Sequence, residues 1–120
     1  MNGAGGSYRA GFHDGVLEIT LHGEIDHHNA VRVRGEIDGL ICEYRPRKTV
    51  LDLKEIEFMD SSGLGLIMGR YALMQRLKGE LTLRDPNPRV VQIFSLAGLE
   101  RMIRIETEER REQANESESN

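Results

Sequence analysis

Hydrophobic and polar residues alternate early in the chain and then change to a helical spacing. From Val16 to His22, Leu17, Ile19 and Leu21 point one way while Glu18, Thr20 and His22 point the other, the pattern of a half-covered strand. Asp14-Gly15 just before it tolerates positive φ and signals a tight hairpin turn, so Tyr8 to His13 is expected to be the first strand of an antiparallel pair. Gly23 is expected to end the second strand, and Asp26 to cap a helix. That helix shows an inner stripe of Ala30, Val33, Ile37, Leu40, Ile41 and Tyr44, with Arg32, Arg34, Glu36, Asp38 and Glu43 on the rest of its surface and Pro46 as its stop. Cys42 falls on the apolar side and reads as a packing residue.

Further on, Thr49-Val50-Leu51-Asp52-Leu53 is short and apolar, as a central strand is, and Lys54 to Asp60 forms its exit. The next helix is expected from Gly63 to about Leu77, with Leu64, Ile67, Met68, Tyr71 and Met74 facing inward and Lys78-Gly79 closing it through a left-handed glycine. Glu80 to Arg84 reads as a strand. Pro86-Asn87-Pro88 combines a turn, a helix cap and a proline at the first helical position, and it opens a third helix with Val90, Val91, Phe94 and Ala97 inward and Gly98 at its end. Met102 to Ile105 supplies a last short strand. Strands and helices alternating after a hairpin imply an α/β fold, a mixed sheet of four to five strands with helices largely on one face.

Composition narrows the class. A chain of 120 residues suits one domain, here 8–105, between a Gly-rich flexible segment, 1–7, and a polar tail, 106–120, expected to be partly helical and then disordered. The formal net charge of −4, with both signs interspersed, gives no attraction for nucleic acid. The start carries no basic, apolar signal pattern, and no run approaches the roughly 20 apolar residues needed to span a bilayer, so a cytoplasmic location without membrane attachment is expected. Cys42 is the only cysteine, which excludes an intrachain disulfide.

Candidate chemistry concentrates in Phe58-Met59-Asp60-Ser61-Ser62-Gly63-Leu64-Gly65, where a hydrophobic strand exit meets a helix through two serines. Either serine can serve only as a cap. Equally, a serine at a helix N-terminus is where a phosphate gains from unpaired amides, and spacing alone does not choose between Ser61 and Ser62. Gly63, Gly65 and Gly69 open the helix although each costs about 1 kcal/mol relative to alanine, which leaves room for a close approach. A second constellation is Gly23-Glu24-Ile25-Asp26-His27-His28-Asn29. If both strands share one sheet, the two loops emerge together and Asp26 comes near Asp60 and the serines, where a phosphate of about −2 charge would be repulsive. Adjacent histidines on a helix diverge and no cysteine has suitable spacing, so no metal and no cofactor is expected. A hydrolase built on Ser61, His27 and Asp26 or Asp60 lacks the Gly-x-Ser-x-Gly elbow, because Met59 stands where the first glycine belongs, and no catalytic residue is assigned.

Gly23 to His28, then Phe58 to Gly65, then Gly69-Arg70-Tyr71 together resemble the anti-anti-sigma factors of the STAS domain family, and in particular its sporulation branch. The resemblance runs in register from about Tyr8 to Ile105. It implies the STAS fold, a non-enzymatic anti-sigma factor antagonist, and a partner surface made by Asp26, His27, Met59, Asp60, Ser61, Ser62, Gly63 and Leu64. It further implies that an anti-sigma factor acting as an ATP-dependent serine kinase binds the unphosphorylated protein and releases its sigma factor. Phosphorylation of the first serine, Ser61 with Ser62 beside it, then inactivates the protein, and a metal-dependent, PP2C-type serine phosphatase restores it. The free protein is expected to be a monomer. The alternative within the same fold is a ligand- or nucleotide-binding module, or a scaffold subunit, in which the serine turn holds an anion without covalent change.

Overall fold

In the computed structural model, which describes residues 7–107, five strands and three helices follow one another along the chain. Strand β1 spans Ser7–His13 and β2 Val16–Ile25; helix α1 spans Ala30–Tyr44 and β3 Lys48–Met59; α2 spans Ser61–Arg76, β4 Glu80–Arg84 and α3 Pro88–Leu96. A short 3-10 turn, Leu99–Arg101, leads to β5 at Arg104–Glu106. The sheet order is β1-β2-β3-β4-β5, antiparallel between β1 and β2 and parallel in the other three pairs. Each parallel step moves to the next strand in the same direction, so crossovers of the usual right hand leave all three helices on one face. The mixed α/β sheet expected from the sequence is the one observed, with five strands.

The hairpin turns as its residues dictate: Asp14 (φ 53) and Gly15 (φ 79) both take the positive φ of a tight two-residue loop. Leu17, Ile19 and Leu21 from β2, Leu51 and Leu53 from β3, and Leu81 and Leu83 from β4 meet Val33, Ile37 and Ile41 of α1, Leu66, Ile67 and Met74 of α2, and Val90 and Phe94 of α3 in one core. On the opposite face, alternation places Val50 and Thr82, both almost inaccessible, beneath long charged side chains. Arg84 pairs there with Glu18 at 2.9 Å, and Lys48 with Glu106 at 3.6 Å.

Several boundaries differ from expectation, for physical reasons. Gly23 does not end β2; with φ 87 it sits at a register shift where β3 carries the extra residue, Glu57, and pairing continues to Ile25. Strand β3 is correspondingly longer than Thr49 to Leu53, because Glu55, Ile56, Phe58 and Met59 pair with that extension. The left-handed residue after α2 is Lys78 (φ 62), not Gly79. Glycine is needed at 79 for another reason: a Cβ there would lie 2.6 Å from Met74 Cε and 2.9 Å from the Arg47 carbonyl oxygen.

Cys42 is exposed, since the buried arc of α1 is centred on Val33, Ile37 and Ile41, and Tyr44 is exposed too, stacked on Phe12 at 4.7 Å. Ala97 is likewise exposed. Ser7 belongs to β1 and Glu106 to β5 rather than to flanking segments; the remainder of the expected flexible start and polar tail lies outside the described residues.

Helix α2 shows the most telling departure. Its deepest stripe is Gly63, Leu66, Ile67, Arg70 and Met74, while Leu64, Met68 and Tyr71 are only half-buried. The helix turns Arg70 inward because α1 offers it Asp38: Nε approaches Oδ1 to 2.7 Å as an ion pair, and the aligned hydrogen bond runs from Nη2 to Oδ2 at 3.3 Å. Arg70 Nη1 also donates to the Leu66 carbonyl. Burial pulls the Arg70 pKa below the usual guanidinium value, with Asp38 opposing that shift and Arg34 adding to it. Removing Asp38 strands a charge on the buried Arg70, whereas removing Arg70 leaves a carboxylate that is 38% exposed and can be hydrated. Asp38→Ala is therefore expected to lower the unfolding free energy by about 1–3 kcal/mol in urea titrations, less than for a fully buried pair because Asp38 remains part exposed, whereas Arg70→Met is expected to change it by less than about 1 kcal/mol.

Candidate functional site

All three helices start at the carboxyl ends of the parallel strands, so the loops before them gather at one end of the sheet, the usual place for binding sites in such folds. The last β2–β3 pair is Ile25 with Met59, and the Asp60 N–H donates to the Ile25 carbonyl at 3.1 Å. The Asp26 loop and the Asp60-Ser61-Ser62-Gly63 turn are thus held side by side.

Asp60, rather than a serine, is the N-cap of α2: its backbone is extended and its carboxylate accepts from the Ser62 N–H at 2.8 Å. Ser61 consequently occupies the first helical position, where its exposed hydroxyl makes no hydrogen bond among the described residues. Ser62 is half-buried, and its hydroxyl bonds to the Asp60 carboxylate. The two serines, equivalent by spacing, are chemically different here.

Asp60 also takes a hydrogen bond from the His27 N–H, and its Oδ2 lies 3.8 Å from His27 Nδ1. Partial burial works to raise the Asp60 pKa, but the N–H groups of Ser62 and His27, the Ser62 hydroxyl and the His27 charge together outweigh it, holding the carboxyl below the usual aspartate range. A depressed folded-state pKa gives the cap its full stabilising effect above the ordinary aspartate value and removes it only as pH falls through the lower one.

Asp26 does not cap α1 directly. Its carboxylate accepts from the His28 and Asn29 N–H groups at 2.9 and 3.2 Å, holding a turn that precedes the helix start at Ala30. The buried Asn29 returns the bond, its Oδ1 accepting from the Asp26 N–H and its Nδ2 donating to the Glu24 carbonyl. His27, the residue after Asp26, reaches across to the Asp60 carboxylate. His27 and His28 stand ring to ring at 4.0 Å, and among the described residues no group of three metal-ligating side chains forms. His27 faces Asp60, and among the described residues Ser61 has no base on its hydroxyl, so these residues do not assemble a Ser-His-Asp triad.

Two grooves flank α2. Ser61 opens onto one of about 280 Å³ between α2 and α3, with Phe58, Met59, Leu64, Val90 and Ile93 as its apolar lining and Asp60 and Arg89 as its charged groups. Ser62 opens onto another of about 310 Å³ between α1 and α2, lined by His27, Val31, Arg34 and Gly65 among others. Met59 is packed on Gly63: a Cβ at 63 would lie 2.1 Å from Met59 Cγ, whereas at Gly65 and Gly69 it would meet nothing within 4 Å. The α3 side of this site escaped the sequence reading. The cue was present in Pro88 at the first helical position, which puts Arg89 in the first turn of a helix neighbouring α2.

With this arrangement in view, comparison with known proteins defines the class: the STAS domain profile matches residues 8–114, and the chain belongs to that family. An anti-sigma F factor antagonist of Paenibacillus polymyxa is 43% identical over 93 residues, covering 78% of this chain and 80% of that one. One from Lysinibacillus sphaericus is 34% identical over 94 residues, with the same coverage of 78% and 80%. Among solved structures, the phosphorylated form of the Bacillus cell-fate determinant SpoIIAA superposes with a TM-score of 0.70 at 28% identity, over 90% of this chain and 98% of that one. Among the described residues no helix is long and apolar enough to cross a membrane.

Glycine-to-alanine changes along α2 should separate packing from open space. Gly65→Ala and Gly69→Ala are expected to raise thermal stability by up to about 1 kcal/mol through helix propensity. Gly63→Ala is expected to lower it by about 1–3 kcal/mol, since Met59 must leave its place. In a carboxyl NMR titration, the Asp60 midpoint is expected to lie below the ordinary aspartate range, and Ser62→Ala is expected to move it upward.

Proposed function

We propose that this protein is an anti-sigma factor antagonist whose binding is switched by phosphorylation of Ser61. In the unmodified state the surface formed by Asp26, His27, Met59, Asp60, Ser61, Ser62, Gly63 and Leu64 docks on an anti-sigma factor, which releases its sigma factor. The same anti-sigma factor, acting as an ATP-dependent serine kinase, transfers the γ-phosphoryl group of ATP to Ser61 Oγ; the Oγ–P bond forms, the bond to the β-phosphate oxygen breaks, ADP leaves and the hydroxyl proton passes to the kinase's base. A PP2C-type phosphatase hydrolyses the ester and restores the active form. The protein performs no catalysis of its own, acts in the cytoplasm, serves a sporulation circuit and is monomeric when free.

The observation that carries this reading is the contrast between the two hydroxyls. Ser61 is exposed and unengaged at the first position of a helix, where an acceptor is accessible and its ester is favoured by the helix dipole. Ser62 would have to give up its bond to Asp60. The names of the relatives, anti-sigma F factor antagonists, support the same partner class. Once formed, a Ser61 phosphate brings about −2 charge to a surface that already holds the Asp60 and Asp26 carboxylates, and repulsion together with the solvation of the new charge opposes docking.

Incubation with the cognate anti-sigma kinase and Mg-ATP, followed by intact-mass measurement and peptide mapping, is expected to show one added phosphate on Ser61. Ser61→Ala should remain unmodified yet still bind, and Ser62→Ala should still be phosphorylated. Undiminished phosphorylation of Ser61→Ala would show that the acceptor has been misassigned.

A further inference from the structure

Arg89 is a cation without a visible task. It is exposed in the first turn of α3 and has neither an ion pair nor a hydrogen bond among the described residues, whereas Arg9, Arg32, Arg70, Arg84 and Arg104 are each paired with a carboxylate. It lines the groove onto which Ser61 opens, together with Asp60, whose carboxyl is held in its charged form. Between the apolar walls of Met59, Leu64, Val90 and Ile93, it is the groove's only lining cation among the described residues. The groove on the other side of α2 has a corresponding pair, Arg34 with Ser62. Each serine therefore shares its groove with a different arginine.

We propose that Arg89 is the intramolecular partner of the phosphate on Ser61, forming a charge-assisted bridge from α3 to the start of α2 across the mouth of their shared groove. A guanidinium presents a planar fork of N–H donors that matches phosphate oxygens, and its side chain is long enough to span such a groove. Two consequences follow. The bridge offsets the repulsion between the phosphate and Asp60, so the modified state is tolerated without disturbing the cap. It also covers the apolar lining on that side, so phosphorylation removes a surface as well as adding a charge. The groups facing the phosphate are then Arg89 from α3 and Asp60 from the loop before α2, with His27 behind Asp60.

This inference takes its biological role from the phosphorylation reading, but its test is independent of any kinase. Phosphoserine is installed at position 61 of the full chain by genetic encoding, and the phosphate is titrated by phosphorus NMR. An exposed phosphoserine loses its second proton near pH 6, and a neighbouring cation lowers that midpoint. Arg89→Gln is expected to raise the midpoint by about 0.5 unit, Arg89→Lys to restore part of the shift, and Arg34→Gln to leave it in place. Raising the salt from 0.05 to 0.5 M, roughly from 14 to 4 Å in screening length, is expected to shift the midpoint less in Arg89→Gln than in the parent. A midpoint unchanged by Arg89→Gln, or moved equally by Arg34→Gln, overturns the bridge. If the bridge is found while the cognate kinase leaves Ser61 untouched, the phosphorylation reading fails and the contact stands; the converse result leaves the switch in place and removes Arg89 from it.

Discussion

The site depends on the parallel pairing of β2 and β3 being carried to the very ends of both strands. Ile25 opposite Met59, followed by the Asp60 N–H on the Ile25 carbonyl, fixes two loops that are far apart in sequence at one level of the sheet. Without the bulges near Gly23 the β2 extension would not keep register with the longer β3, and the Asp26 turn would not meet Asp60. The ion pair between the buried Arg70 and the part-exposed Asp38 adds a second constraint by tying α2 to α1 behind the loops. The proposed partner surface is thus built on strands and helices even though its chemistry lies in turns.

Electrostatics at this end is arranged around one carboxylate. Asp60 caps α2, receives the His27 loop and engages Ser62, and these contacts hold its pKa below the usual aspartate range. By occupying Ser62 and not Ser61, it leaves one hydroxyl available and the other committed. Under the proposed switch, that asymmetry gives a local modification of Ser61 a consequence for docking. On that proposal a phosphate would unfold nothing, since a free serine at a helix start accepts negative charge readily while the surrounding carboxylates would make the same charge costly to a partner.

Much of this was legible in the chain. The alternation of Leu17, Ile19 and Leu21, the Asp14-Gly15 turn and the Asn87-Pro88 helix start reported local preferences that the tertiary structure respects. What escaped was whatever depends on two distant elements. Arg70 has no place in the apolar stripe read from the sequence because its partner Asp38 lies on another helix, and the stripe expected for α2 is rotated accordingly. Gly23 looked like a terminator because a bulge is visible only against its neighbouring strand. Cys42 was placed inward because Leu40 and Tyr44 widened the apparent apolar arc of α1. The serine turn itself was found from sequence, yet the difference between Ser61 and Ser62 emerged only once the Asp60 carboxylate had been located between the strand ends.

The central claim is that docking strength follows the charge on Ser61. Calorimetric titration of the cognate anti-sigma factor with the unmodified protein and with the protein carrying phosphoserine at 61 measures it directly. The unmodified protein is expected to bind, and the phosphorylated protein to bind at least about 100-fold more weakly, a difference near 2.7 kcal/mol. Equal affinities for the two forms would contradict the account.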